Sequence, residues 1–337
     1  MQQDAERLQA LAGRPEYAFL KYNDHLGRQI CYLTLAGSRA YGTNNEDSDT
    51  DIRGFAIEKF QEIIGLKDFE QVEDRETDTV IYALRKFISL CVNCNPNVIE
   101  MLGTRDEDVI YANEIGQLVR DNASLFLSKR AYQSFAGYAT AQLRRIQNAM
   151  AHDSYSEADK ELHIKKSLES MMLSLESQYE LAGGSITFDM KEEDGNSELC
   201  TSIHIDDVPL RRFLAVNNAM TNMLRNYDKL NNRNKKKDEA HLYKHTMHLI
   251  RLFLTGRDIL EGRGIHTYRE KERPMLLGIR HGEIPLDEVF HMAETGEQEL
   301  RKSYQESELP MKPDMDKIHE LEQQIYKQYL KGVILNV

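Results

Sequence analysis

The chain has 337 residues, 41% of them hydrophobic, with 7 Pro, 19 Gly and no low-complexity tract, so it can build one large core or two ordinary ones and a disordered or fibrous class is excluded. A formal net charge of −12 argues against a protein that coats nucleic acid without selectivity, because such binding neutralises phosphates with Lys and Arg. The longest apolar stretches are too short to span a bilayer and the N-terminus lacks a basic start and an apolar run, so no membrane partner is expected and the cytoplasm is the expected compartment.

Residues 30–36 form an apolar, β-branched strand candidate that ends at Gly37, and 50–57 form a second, carrying Ile52, Phe55 and Ile57. Turn formers from Gly42 to Asp49 lie between them. A third short strand is predicted at 79–81, followed by a helix over 82–91 with Leu84, Phe87, Ile88 and Cys91 on one side. Asn95-Pro96-Asn97 stops that helix and starts a short one. Four cysteines are too few and scattered for a disulfide scaffold; Cys91 and Cys94 form a C-x-x-C without a second pair, and read as structural thiols rather than a metal site.

From residue 113 the pattern changes to long helices, predicted over 131–150, 157–181, 209–230 and 240–260 from apolar residues at three- and four-residue intervals. Gly183-Gly184 and the segments 185–188 and 200–205 predict a β-hairpin inserted near 185–206, with polar residues 191–197 as its turn. Two basic stretches occur, 233–237 and 263–273; the first has the composition of an exposed connection. The tail reads as a linker and a closing helix over 317–331. The expected class is α+β: a domain of short mixed sheet and helices over 1–110, then a mostly α-helical domain over 111–337.

The chemistry gathers between the first two strands. Gly37 lets backbone amides approach a phosphate closely, and Ser38 adds a hydroxyl donor. Asp49 and Asp51, one residue apart, point to the same side of an extended strand and offer hard oxygen ligands to Mg²⁺. Ten residues, 39–48, separate the two halves. The bland alternative is an Asn/Asp-rich hairpin loop closed by caps and turns.

A hydrophobic residue, Gly37-Ser38, ten residues and Asp49-Thr50-Asp51-Ile52 is similar to the signature of the DNA polymerase beta nucleotidyltransferase superfamily. Thr50 departs mildly, standing where that pattern usually has a hydrophobic residue. The fuller strings 37–43, 48–54, Leu84-Arg85-Lys86-Phe87 and 95–102 resemble the RNA-repair-pathway (RlaP) nucleotidyltransferases and their phage relatives, over about residues 30–105. The stretches 244–252 and 276–282 are also family-like.

The resemblance implies a polymerase beta-type nucleotidyltransferase domain, Mg²⁺ or Mn²⁺ and an NTP as cofactor and substrate, and an RNA end such as tRNA as acceptor. Protein or small-molecule acceptors, or a catalytically silent interaction module, are the alternatives. It also implies a third metal-binding carboxylate, because two metals flank the reacting phosphorus. Asp78 matches the acidic position before Leu84-Arg85-Lys86-Phe87, with Glu73, Asp74 and Glu76 as neighbouring competitors.

Cationic groups that neutralise a triphosphate are sought on helices. Lys244, His248 and Arg251 share one helical face at spacings of four and three, and are read either as nucleotide contacts or as a solvated rim. His241, His245 and His248 have a spacing that also suits zinc, with low specificity. Arg39 and Arg53 are placed either on phosphate or against Glu46 and Asp47. Tyr41 is read as a base-stacking residue or as packing under the turn.

Overall fold

A computed structural model of the chain describes residues 2–46, 48–65, 69–154, 186–193, 196–204 and 239–334, with isolated positions between 209 and 221. The apolar run at 30–36 becomes strand β1, Ile30–Leu35, and its first five residues are buried because the strand is covered on both faces. The other strands of its sheet are β2 (Ile52–Ala56), β3 (Gln71–Asp74), β4 (Thr79–Ala83) and β5 (Val109–Ala112), in the order β3-β4-β2-β1-β5. Only β2 and β4 run parallel; the other pairs are antiparallel, so the sheet is mixed.

Helices in the first part of the chain are α1 (Gln2–Ala12), α2 (Phe19–Tyr22), α3 (Gly37–Tyr41), α4 (Phe60–Ile64), α5 (Leu84–Val92), α6 (Pro96–Ile99), α7 (Glu114–Asp121) and α8 (Arg130–Ser154). The hairpin strands β6 (Ile186–Glu193) and β7 (Asn196–Ile203) follow, then α9 (Glu239–Leu260), α10 (Arg273–Arg280), α11 (Leu286–Glu306) and α12 (Met315–Ile334). The class is α+β.

Several boundaries differ from expectation for local reasons. The helix expected from residue 82 starts at Leu84, because residues 79–83 pair along their whole length with β2. In the hairpin, residues 191–193 and 196–197 are paired, so the strands run through most of the polar segment expected as turn. β3 and β5 were not anticipated. β3 has Val72 as its only apolar residue and sits at the sheet edge, where one exposed face tolerates charge; β5 carries the sheet past residue 110. The helix expected over 157–181 lies outside the described residues.

The core beside β2 is aromatic: the rings of Phe55 and Phe87 lie 4.4 Å apart and those of Tyr32 and Phe55 5.8 Å. Cys91 and Cys94 are fully buried, and Cys94 Sγ donates to the Phe126 carbonyl, which suits structural thiols. The chain divides into two compact units, 1–143 with 243–337, and 144–242. The C-terminal helices thus share a unit with the five-stranded sheet. Tyr326 Oη donates to the buried Glu58 carboxylate, and Gln29 Nε2 donates to Tyr329 Oη, fastening α12 to that sheet.

Candidate active site

The parallel pairing of β2 with β4 sets Ile52 opposite Thr79, so the preceding residues, Asp51 and Asp78, stand side by side where the two strands begin. The Ile52 amide donates to the Asp78 carbonyl, extending that pairing by one step. The two carboxyl groups share a hydrogen bond. Burial raises the Asp51 carboxyl to about 6, and its hydrogen bond to Asp78 and the Asp78 charge push in the same direction. Asp78 is held below the usual carboxylate range, chiefly by that hydrogen bond and further by Arg53, whose Nη2 donates to Asp78 Oδ1 at 2.9 Å. Asp78 has φ +44°, a left-handed conformation uncommon outside glycine, which is the kind of strain that gathers at functional sites.

Gly37 is what lets Asp51 in. Its φ is +57°, and a Cβ there would lie 1.7 Å from Asp51 Oδ2, so the carboxylate rests directly on the glycine backbone. Ser38 is buried at the start of α3. The helix ends at Gly42, whose φ of +67° allows a left-handed cap in which the Gly42 amide donates to the Arg39 carbonyl and the Thr43 amide to that of Ser38.

The loop that follows carries Asp49 and is held from both ends. Arg39 Nη2 donates to the Ser48 carbonyl at 2.9 Å and Arg39 Nε to that of Asp49 at 3.3 Å, so Arg39 braces the loop backbone. Arg273 Nε donates to the Gly42 carbonyl at 2.6 Å. Arg280 Nη1 donates to the Thr43 carbonyl at 2.6 Å and its Nη2 to Ser48 Oγ at 3.1 Å. Asp49 itself is exposed.

A second, buried layer lies beneath α3. Tyr41 Oη donates to Glu100 Oε2 at 2.7 Å, and the Arg251 guanidinium sits 3.7 Å over the Tyr41 ring while forming an ion pair with Glu100 Oε1. Tyr41 and Arg251 are thus engaged with each other and with Glu100: Tyr41 packs under the turn, the second of its two readings, and Arg251 is buried rather than part of a solvated rim. His248 packs edge-on against Tyr41, its ring centroid 6.1 Å away. Burial holds the His248 imidazole well below its ordinary value, reinforced by Arg251, Lys244, His245 and Arg280, and it stays neutral. Lys244, one turn earlier on the same face of α9, is exposed, and its charge acts on both Asp51 and Asp78.

Of the four acidic candidates after β2, the structure brings Asp78 to Asp51. Glu73 pairs with Arg75, and Asp74 accepts hydrogen bonds from the Thr77 amide and hydroxyl. Arg53 faces Asp78. The zinc reading of the α9 histidines is not supported where it can be seen: His245 Nδ1 meets Gln142 Oε1 at 3.0 Å, while His248 is turned against Tyr41; the side chain of His241 lies outside the described residues. Among the described residues no three His, Cys, Asp or Glu side chains form a ready metal cluster.

The Asp51–Asp78 pair nevertheless fits a divalent cation, since two hydrogen-bonded carboxylates with one elevated proton affinity form an oxygen donor set short of positive charge. Glu100 and Arg280 were not singled out from sequence. Both lie in family-like strings, 95–102 and 276–282, and that was the available signal.

Residues 6–171 match the family model RlaP, described as RNA repair pathway DNA polymerase beta family. This portion of the chain, which contains the five-stranded sheet, Gly37-Ser38 and all three aspartates, belongs to the polymerase beta-type nucleotidyltransferases. No curated protein and no solved structure matches the chain.

Proposed function

We propose that the protein transfers a nucleotidyl group from an NTP to an acceptor hydroxyl with release of pyrophosphate, and that the acceptor is an RNA end such as tRNA. The observation that carries the reading is the Asp51 carboxyl lying against the Gly37 backbone, with Asp78 beside it where the paired strands begin. Asp51 and Asp78, completed by Asp49 from the adjoining loop, are the residues that would hold Mg²⁺ or Mn²⁺, which supplies charge neutralisation at the α-phosphate and acidifies the attacking hydroxyl.

The chain's own groups do the rest. The Gly37 and Ser38 amides and the Ser38 hydroxyl bind the β- and γ-phosphates. Lys244 adds positive charge on the side facing the carboxylates. Asp78 Oδ1, oriented by Arg53, receives the proton of the acceptor hydroxyl as it attacks the α-phosphorus. His248 and Tyr41 form the packed floor on which α3 rests.

The test is incubation of the protein with each labelled NTP, Mg²⁺ and either tRNA or a protein pool, beside the Asp49→Ala/Asp51→Ala double variant. Label on RNA ends, reduced at least about a thousandfold in the variant, is the expected result. Label on protein would move the acceptor assignment. Transfer equal in the variant would overturn the site, and no transfer with no NTP binding would leave a silent interaction module.

A further inference from the structure

Most arginines described in this unit sit against a carboxylate: Arg53 on Asp78, Arg85 on Glu58, Arg105 on Asp108, Arg120 on Asp106, Arg251 on Glu100 and Arg269 on Asp258. Arg280 differs. Its guanidinium is half-buried and spends its described hydrogen bonds on two neutral acceptors of one loop, the Thr43 carbonyl and Ser48 Oγ. Among the described residues no carboxylate pairs with it, and burial alone lowers its proton affinity.

A basic residue in the last turn of a helix is ordinarily explained by the helix's own negative end. That explanation does not account for a side chain reaching across to residues 43–48. A guanidinium has five N–H donors in a planar fork, so two contacts to the loop leave three for another acceptor.

The position of Arg280 says which acceptor. Lys244, on α9, acts on Asp51 and Asp78, and Arg280, on α10, reaches the loop that ends beside Asp49 through its hydrogen bonds to the Thr43 carbonyl and Ser48 Oγ. The loop that Arg280 holds runs from the cap of α3, the helix begun by Gly37-Ser38, to Ser48, next to Asp49.

We propose that Arg280 is a polyphosphate-binding and positioning residue: it contacts the β- and γ-phosphates of the nucleotide with its free donors while its other donors hold the 43–48 loop, and with it Asp49, in register with the site. This rests on the nucleotidyltransferase reading and extends it to a residue beyond the 6–171 family match. Binding of the triphosphate and ordering of the third carboxylate are then one event, because one guanidinium serves both.

The experiment is calorimetric titration of the full chain with Mg²⁺-tripolyphosphate, Mg²⁺-NTP and the nucleoside monophosphate, for the natural protein, Arg280→Ala and Arg280→Lys. Arg280→Ala should weaken tripolyphosphate and NTP binding at least about tenfold and leave monophosphate binding within about twofold. Arg280→Lys keeps the charge without the fork, and should recover part of the affinity while kcat for transfer stays low, a split that a purely structural role would not produce.

Should Arg280→Ala fail to give the cooperative thermal transition of the natural protein, the Lys variant decides by the same comparison. Equal tripolyphosphate affinity in the natural protein and the variants, or equal loss for mono- and triphosphate, overturns the proposal for Arg280 alone. A natural protein that binds neither NTP nor tripolyphosphate overturns the nucleotidyltransferase reading with it.

Discussion

Two ionisable pairs lie close together in this molecule and are built on opposite terms. Glu100 and Arg251 are opposite charges, each about 5% exposed, with the Tyr41 hydroxyl donating to Glu100 and the Tyr41 ring lying against the guanidinium, whose buried Nε lacks a hydrogen-bond partner among the described residues. Asp51 and Asp78 are like charges held in hydrogen-bonding contact, with burial and the neighbouring charge both working against ionisation of Asp51. The first pair balances its own charge, whereas the second is short of positive charge that a cation would supply. Burial of charge therefore separates scaffold from site here only when the sign of the partner is read with it.

The largest effect should come from breaking the charge-balanced pair. Glu100→Ala leaves the Arg251 guanidinium buried without its counter-ion and should cost about 3–5 kcal/mol of stability, read by urea denaturation at pH 7. A loss under about 1 kcal/mol would mean that the buried layer is not what supports α3. Next, Gly37→Ala places a methyl group against Asp51 Oδ2 in a left-handed backbone conformation, costing about 1–2 kcal/mol from the backbone alone. It should also weaken Mn²⁺ binding and transfer more than it weakens the fold. A variant with natural metal affinity would remove Gly37 from the site.

The smallest effect on stability, and the sharpest for the comparison, concerns pH. The folded-state pKa of Asp51 is raised from 3.8 to about 6, so in the metal-free protein its ionisation opposes folding: the cost is absent below about 4, grows between about 4 and 6, and is complete above 6. Asp51→Asn should accordingly raise Tm at pH 7 to 8 and leave it nearly unchanged at pH 4, the reverse of the usual loss on removing a partly buried carboxylate. Divalent-ion affinity of the natural protein should be flat above about pH 6 and fall up to about tenfold per unit below it, as protons compete for the pair. A Tm lowered by Asp51→Asn at pH 8 would show the pair to be structural.

Much of the site was legible because it is local. Gly37-Ser38 and Asp49-x-Asp51 sit within fifteen residues of one another, and the turn chemistry and strand alternation that relate them are short-range properties. Asp78 was legible only through the resemblance: four acids lie between residues 73 and 78, and nothing local separates them. The parallel register of β2 with β4 does, by setting Asp78 one step before the residue opposite Ile52. Tyr41 and Arg251 carry the right residue types for nucleotide contact, yet Glu100 claims both across 59 and 151 residues of chain.

By itself the amino-acid sequence determined the α+β class, the strands on either side of the Gly-Ser turn, and the face of α9 that carries Lys244, His248 and Arg251, because hydrophobic periodicity and turn formers act over a few residues. Tertiary structure alone decided which charges cancel and which remain available. Glu100 reaches Arg251, Arg53 reaches Asp78 and Arg280 reaches the 43–48 loop only after the sheet and the C-terminal helices have packed, and a charge has no defined partner until that packing sets its distances and its exclusion from water.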